Sequence, residues 1–472
     1  MKKRILPILL CMVLCLSVLM TACGNKNKNK EENTQKPPEV ESGNLLEEWL
    51  PKDVDLDGRD IVYLSEFKST GFDLEGYTGD VLEDCKFERC MYLEERFNCE
   101  LVWENTTAAT ALRQAHYAGD DLYDLVAPHP DLYLPLAIEG TFMDLLGVKN
   151  LNLDQEWWNQ SQVKGWTLNN HLYVAAGDSG SDIQAFMMFL CNADRYKEFG
   201  FTENLYELVY ANKWTVEKMH EMIVAASGSG EGGTQFYGLC MWENAVGRFM
   251  QASEVYILEK NGEGEYQLGI TATKLNPIAQ KVFNMLTDSN ANIISAQTGN
   301  AGMPTTNFFT AFAAGNGLFM MYDVGSLWQL LGELEFSMDY LPVPKVSEEQ
   351  VGYHSVCANN CIGIPFYETT PDEVGMVLEA MTIYSHISLK PAFISRVLQG
   401  RLSEDPADFE MLSYLHTTIF YDIGFAIDET NEASHMLQYV IYNVGNPGAV
   451  SSYLKGHNSY FKKLVTTANS MD

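Results

Sequence analysis

Between Asp60 and Ala127 short apolar runs alternate with longer segments whose apolar residues recur every three or four positions. Asp60–Ser65 (DIVYLS), Cys99–Trp103 and Tyr123–Ala127 (YDLVA) predict strands. Tyr77–Phe97, with Val81, Leu82, Cys85, Met91, Tyr92 and Phe97 as its apolar positions, and Thr107–Ala118 predict helices. A chain that alternates in this way predicts an α/β class with a partly parallel sheet and right-handed crossovers. With 472 residues there is room for two or three domains.

The pattern continues less regularly. Leu168-Asn169-Asn170-His171 reads as a turn, and Gln184–Cys191 is a long apolar stretch that ends at Asn192-Ala193-Asp194, a helix start. Met187-Met188 and Met320-Met321 read as buried strand. Thr215 is the expected cap of a helix beginning after Trp214, with Lys218 where a capping box has Glu or Gln. Ile257–Gly269 holds an Asn-Gly turn and predicts a hairpin. Asn307–Ala314 predicts a helix, Gly317–Tyr322 a strand, Gly325–Leu331 a helix start and Cys361–Pro365 a short strand. From Asp372 onward the pattern is mainly helical, and no repeat has a solenoid or propeller period.

The N-terminus is an address. Lys2, Lys3 and Arg4 precede an almost wholly apolar run, Ile5–Met20, and then Leu19-Met20-Thr21-Ala22-Cys23-Gly24. A basic start, a short apolar core and small residues describe a secretory signal. The Cys directly after them resembles the lipobox of bacterial lipoproteins, with Met20 in place of the commoner Leu. That resemblance implies removal of residues 1–22, diacylation of Cys23 and attachment to a membrane through that lipid. Residues 23–58 are then expected to be the lipidated Cys and a disordered tether, with almost nothing to bury from Gly24 to about Asn44.

The charge excludes whole classes of partner. Against 63 Asp and Glu stand 31 Lys and Arg, a formal net charge of −32. Losing three cations with the signal leaves 28 against 63, or −35. Nucleic acid and anionic lipid are poor partners for such a surface.

Of ten Cys, seven remain beyond Cys23: Cys85, Cys90, Cys99, Cys191, Cys240, Cys357 and Cys361. An exported chain can oxidise Cys85 with Cys90 or Cys357 with Cys361; buried free thiols are the alternative. No zinc spacing occurs, and neither a metal nor a cofactor is expected.

Catalytic motifs are absent or unsupported. Gly177-Asp178-Ser179-Gly180 matches the surroundings of a nucleophilic serine, but no His region accompanies it. There is no GxSxG elbow, phosphate loop or HExxH. Asp53-x-Asp55-x-Asp57-Gly58 begins like a calcium loop, but Leu64 stands where the bidentate acid belongs, so a polar turn is expected. No catalytic residue is assigned.

Several stretches, in order, carry a further resemblance. Leu93–Val102 is similar to a helix-to-second-strand junction, and Tyr123–Val126 to a third strand. Leu168–Val174 resembles a "dGklYglP" segment with Ala175-Ala176 where Pro is usual, and Met188–Asp194 resembles "lyYNkd" with Cys191 in place of Tyr. Trp214-Thr215 resembles a "TWdE" helix start, and Phe309–Met320 (FTAFAAGNGLFM) resembles "aFaaGkaAM". Over roughly residues 59–470 the chain resembles the family 1 extracellular solute-binding proteins, the maltose-binding-protein-like receptors of ABC importers.

The resemblance implies a periplasmic-binding-protein-like α/β fold, two lobes joined by crossing hinge strands with a ligand cleft between them. Lobe 1 is expected over 59–188 with part of 361–420, and lobe 2 over 189–360 with the C-terminal helices to 472. It implies a receptor that does no chemistry, a monomer that captures a small molecule, a sugar by preference, and hands it to permease subunits of an ABC transporter. The expected location is the extracellular face of the cell membrane. Other readings are a binder of peptide or another organic solute, a surface enzyme acting on polysaccharide, and a sensory receptor feeding a membrane kinase.

Sugar rings have apolar faces edged by hydroxyls, so a cleft for them pairs aromatic platforms with short polar groups. In lobe 2 the expected contacts are Trp328, Trp242 with Glu243 and Asn244, and Tyr322 with Asp323. In lobe 1 they are Ser65, Glu66 and Phe67 after the first strand and His129 and Asp131 after the third, since loops following parallel strands face the cleft. Asp178 is expected near the first crossing.

Overall fold

The structure is a computed structural model that describes residues 43–66, 70–129, 132–179, 186–296, 306–323, 334–356, 361–393, 406–428 and 430–470. Strands β1 (Arg59–Ser65), β2 (Cys99–Glu104) and β3 (Leu125–Ala127) form a parallel sheet in the order β2-β1-β3. Ile61, Tyr63 and Leu64 of the central strand are fully buried. Helices Val81–Phe97 and Ala108–Ala118 make the crossovers. The first helix begins at Val81 rather than Tyr77. Gly79 turns the chain at φ +83°, and the Asp80 carboxylate accepts from the Leu82 and Glu83 N–H groups. Asn98, left-handed at φ 49°, ends it.

The tether expected over 23–58 ends earlier than that: Gly43–Trp49 is a helix packed on helix Pro371–Tyr384, with Leu46, Leu50 and Leu56 buried and Trp49 edge-on to Trp157, because these apolar side chains have a core to enter. The Asp53–Gly58 segment is a polar turn. Asp55 Oδ1 accepts from the Asp57 N–H at 2.9 Å and from Asn98 Nδ2 at 2.7 Å, and Asp57 and Gly58 both have positive φ. Asn169 and Asn170, at φ 46° and 66°, close the tight turn that bridges Leu168 to His171.

A second sheet contains β4 (Met187–Asn192), β5 (Gly228–Ser229) and β6 (Gln235–Trp242). Beyond the hairpin of β7 (Leu258–Lys260) and β8 (Tyr266–Leu268), the chain adds β9 (Ile293–Ala296), β10 (Gly317–Asp323) and β11 (Met338–Leu341) to it. The order is β11-β4-β10-β6-β5, with β9 on β6. β4 is buried at every position, which explains its unbroken apolar run. β6, β9 and β10 are mutually parallel, and antiparallel β4 pairs its first residue, Met187, with Asp323. The chain therefore enters this sheet at the end where β6 and β10 finish. Thr215 caps helix Val216–Ala225, its hydroxyl accepting from the Lys218 N–H at 3.2 Å. That helix lies on Gly238 so closely that a Cβ there would sit 2.3 Å from the Ile223 carbonyl oxygen.

After β12 (Ser355–Val356) the chain returns to the first sheet. The expected strand Cys361–Pro365 is instead a set of single bridges: Ile362 to Ala175, Gly363 to Val126 and Pro365 to Phe142. The segment is shared between neighbours on two sides, and Pro365 has no N–H to extend a ladder. Helix Pro371–Tyr384 continues through a π-helical turn, Ser385–Leu389, and packs on Val81–Phe97. Helix Pro406–Thr417 packs on β11, and β13 (Ile419–Phe420) pairs with β12. The C-terminal helices Val450–Gly456 and Asn458–Asn469 pack on helix Ala272–Thr287 and on β8.

Cys85 and Cys90 are buried free thiols on one helix, five residues apart and so on different faces; the disulfide open to them in sequence is not formed. Cys357 lies outside the described residues, as does Cys23. Among the described residues no helix is long and apolar enough to cross a membrane.

Candidate functional site

Trp242 is the last residue of β6, and the β6–β10 register sets Tyr322 beside it. The two rings stack at 5.2 Å between centroids and 16° between planes. Phe308 meets Trp242 edge-on at 4.9 Å, and Phe309 meets Tyr322 at 5.7 Å; both come from helix Thr306–Ala313. Tyr322 and Phe308 are buried, while Trp242 keeps part of its surface in solvent. The result is an aromatic wall at the carboxyl ends of parallel strands, where α/β sheets hold their ligands.

Polar groups edge the wall. Glu243 follows Trp242 and is partly buried. Tyr442 bonds to Ser295 of β9, and burial, with the Glu243 carboxylate next in importance, pushes its phenol up to about 12. It is therefore a neutral hydroxyl at ordinary pH. Of the other expected residues, the backbone of Asn244 lies in the single helical turn Glu243–Val246, and that of Asp323 ends β10. Phe309 and Tyr442 were not found in the sequence. Phe309 sits within the recognised FTAFAAG stretch, but nothing local marks Tyr442 among 24 tyrosines.

On the first sheet the expected residues have varied places. Ser65 ends β1 opposite Ala127 and is fully buried, and its carbonyl accepts from Trp103 Nε1 at 2.9 Å. The Glu66 carboxylate accepts from the Ala108 N–H at 3.0 Å; it caps helix Ala108–Ala118, whose N-cap residue Thr107 supplies no side-chain bond. His129 is exposed, two residues beyond β3. Trp328, Phe67 and Asp131 lie outside the described residues.

Asp178 is buried and fully engaged. Its Oδ2 meets His386 Nδ1 at 2.6 Å, and Lys390 Nζ bonds both of its oxygens at 2.9 and 3.0 Å. It borders a cavity of about 320 Å3 whose other walls include Glu156, Ser161, Lys390, His416 and Thr417. Trp157 and Trp158, adjacent to that cavity, are buried rather than displayed. Their indole N–H groups donate to the two oxygens of Glu379, each at 2.9 Å. A second cavity, of about 430 Å3, lies between Tyr196, Phe201, Leu205 and Asp339 on the β4–β11 side of the second sheet. Among the described residues no group of three or more His, Cys, Asp or Glu is arranged to hold a metal.

No family model matches the chain, and no curated protein matches it by sequence. Solved structures do match. The GacH receptor of Streptomyces glaucescens, solved unliganded and with acarbose, is 11% identical with a TM-score of 0.57, covering 87% of this chain and 99% of that one. A cyclo/maltodextrin-binding protein complexed with maltotetraose is 12% identical with a TM-score of 0.57, covering 86% and 97%. A family 1 extracellular solute-binding protein from Bifidobacterium longum subsp. infantis is 12% identical with a TM-score of 0.53, covering 85% and 100%. Across nearly all of each of these proteins' lengths, this chain has their fold: the periplasmic-binding-protein-like arrangement of two α/β lobes joined by crossing segments.

Proposed function

We propose that this protein is the solute-binding component of an ABC importer, held at the outer face of the cell membrane by a lipid on Cys23, and that its cargo is a carbohydrate. Two lobes, 59–188 with part of 361–420 and 189–360 with the helices to 472, close on the cargo by a hinge. Permease subunits then receive it. The protein itself makes and breaks no covalent bond.

The observation that carries the reading is the stacked pair Trp242–Tyr322 with Glu243 beside it, at the carboxyl ends of β6 and β10. A partly exposed indole backed by a buried phenol is a rigid apolar platform for the C–H face of a sugar ring. A carboxylate and a neutral tyrosine hydroxyl at its rim suit the ring's hydroxyl groups. The binding of acarbose and maltotetraose by proteins of the same fold supports the same class of cargo. An engaged Asp178 and the absence of a nucleophile–base pair in the sequence favour a receptor over an enzyme.

The test is a thermal-shift screen of the full chain, purified in detergent, against mono- and oligosaccharides, peptides and simple ions. A ligand present at about 100 times its dissociation constant stabilises by about 2.7 kcal/mol, a plain shift in Tm. A sugar that shifts the wild type but not Trp242→Ala supports the reading; a response to peptides alone overturns the cargo.

A further inference from the structure

The cavity of about 320 Å3 beside Asp178 shares no described lining residue with the aromatic wall of Trp242 and Tyr322. One side of it is the stretch from Trp158 to Ser161, at the start of helix Gln160–Trp166. Another is His416, Thr417 and Ile419, from the end of helix Pro406–Thr417 and the first residue of β13. The two sides are packed together. Helix Gln160–Trp166 lies on β13, and Trp166 meets Tyr421 edge-on at 5.6 Å. The His416 ring meets Phe186 at 4.9 Å and Phe393 at 6.4 Å, both edge-on. The cavity is therefore already formed, and a ligand entering it has little of the protein to order.

Its lining suits an uncharged ligand that carries hydroxyl groups. The buried Asp178 carboxylate is matched by the Lys390 ammonium at 2.9 and 3.0 Å, and Glu156, the other acid, has most of its side chain in water. An ion entering the cavity finds no unbalanced buried charge to pair with. Hydrogen-bonding groups are left over. Neither ring nitrogen of His416 has a hydrogen-bond partner among the described residues, nor has the Ser161 hydroxyl. Desolvation, with Lys390 next in importance, lowers the His416 imidazole to about 4, so at neutral pH one nitrogen donates and the other accepts. Asp178 Oδ1 bonds only Lys390 and keeps a second lone pair, whereas Oδ2 serves both Lys390 and His386. Apolar surface comes from Ile419 and from Trp158, whose indole N–H is spent on Glu379 at 2.9 Å. Donors, acceptors and carbon surface around one small space match the hydroxyl edge and C–H face of a sugar ring. Pockets for small molecules run from about 300 to 1,000 Å3, so this one has room for one ring and not for a chain of them.

We propose that this cavity is a second saccharide site, separate from the aromatic wall, that takes a single uncharged ring. His416, Ser161 and Asp178 Oδ1 bond the ring's hydroxyls, and Trp158 and Ile419 cover its C–H face. The site holds a ring whether or not the wall at Trp242 takes sugar, so the two readings fail separately.

The test measures dissociation constants of free glucose, galactose, mannose, xylose and myo-inositol by saturation-transfer NMR on the full chain in detergent. Wild type is compared with Trp242→Ala and with two variants that fill the cavity, Ser161→Trp and Thr417→Trp. Both filled positions are exposed, so the added indole enters the cavity and not the core, and melting curves check that each variant folds. At least one ring binds the wild type. Its Kd changes less than twofold in Trp242→Ala and rises at least tenfold in both filling variants, and its uronic acid or amino-sugar counterpart binds at least tenfold more weakly. No binding by any of the five overturns the site, and equal binding of the charged counterparts overturns its class. A ring lost in Trp242→Ala and kept in the filling variants overturns the site and leaves the receptor reading standing. A ring lost in all three variants belongs to one continuous site, and a ring kept in all three binds elsewhere; either overturns the proposal. A ring lost only in the filling variants, with no sugar of any length sensitive to Trp242→Ala, upholds the second site and removes sugar from the aromatic wall.

Discussion

Trp242 and Tyr322 come from different strands, 80 positions apart, and stack with their rings 16° from parallel. The parallel register of β6 and β10 places them side by side, and Phe308 closes the edge. Under the proposed function, a ring backed by Tyr322 and edged by Phe308 is already set before a ligand arrives, so little ordering remains to be done on binding.

Removing that platform separates binding from folding. Trp242→Ala weakens sugar binding by at least tenfold in calorimetric titration. It also lowers stability by about 1–3 kcal/mol, less than a fully buried Trp would, because part of the ring already faces water. Trp242→Phe restores most of both. Equal affinity in wild type and Trp242→Ala would place the cargo elsewhere.

Asp422 gives a pH dependence with a definite sign. Burial is the main cause that pushes its carboxyl up to about 7, although the Ile257, Leu258 and Gly424 N–H groups bond to it. The folded state thus holds this proton more tightly than the unfolded chain does. The associated stability is fully present below about pH 4 and is lost as pH rises from about 4 to 7. Asp422→Asn keeps an acceptor for these N–H groups and has no proton to lose. The variant therefore gains on the wild type by a few kcal/mol between pH 4 and 7, read from paired denaturation curves. A constant difference across that range would contradict the assignment.

The strands of the first sheet, β4 and β10 of the second, and the helices Val81–Phe97 and Val216–Ala225 were legible because their signals are local: apolar runs, apolar periodicity and, for the last, the cap at Thr215; β5, β6 and β9 were not predicted. Glu66 has a part that no local signal shows. Thr107 stands ready as a cap in sequence, and only the fold shows the helix capped by a carboxylate 42 residues earlier. The cluster around Asp178 was invisible, since Asp178 meets partners 208 and 212 positions away, and no spacing rule reaches so far.

Glu379 is a related case, one acid in an otherwise apolar helical run whose oxygens take the Trp157 and Trp158 indoles and Asn152. Glu379→Ala leaves two buried N–H groups without acceptors and costs about 3–5 kcal/mol in urea denaturation. Glu379→Gln, which keeps one acceptor oxygen, costs less than half as much. Indifference to both substitutions would mean that the two indoles find other partners.

Gly238 tests how closely the second sheet is covered. Gly238→Ala brings a methyl group within 2.3 Å of the Ile223 carbonyl and 2.6 Å of its Cα, both rigid backbone atoms. The helix Val216–Ala225 must lift from β6, at a cost of about 2–3 kcal/mol. Gly262→Ala, on the open hairpin turn with nothing within 4 Å, is the matched control and stays near wild type.

The most direct measurement is titration calorimetry of the full chain with the sugar that gives the largest thermal shift, followed by chromatography of the sugar afterwards. The account predicts saturable binding at one site, with every molecule of sugar recovered intact. Recovery of cleaved sugar would make the protein an enzyme, and no saturable heat with any carbohydrate would remove sugar as its cargo.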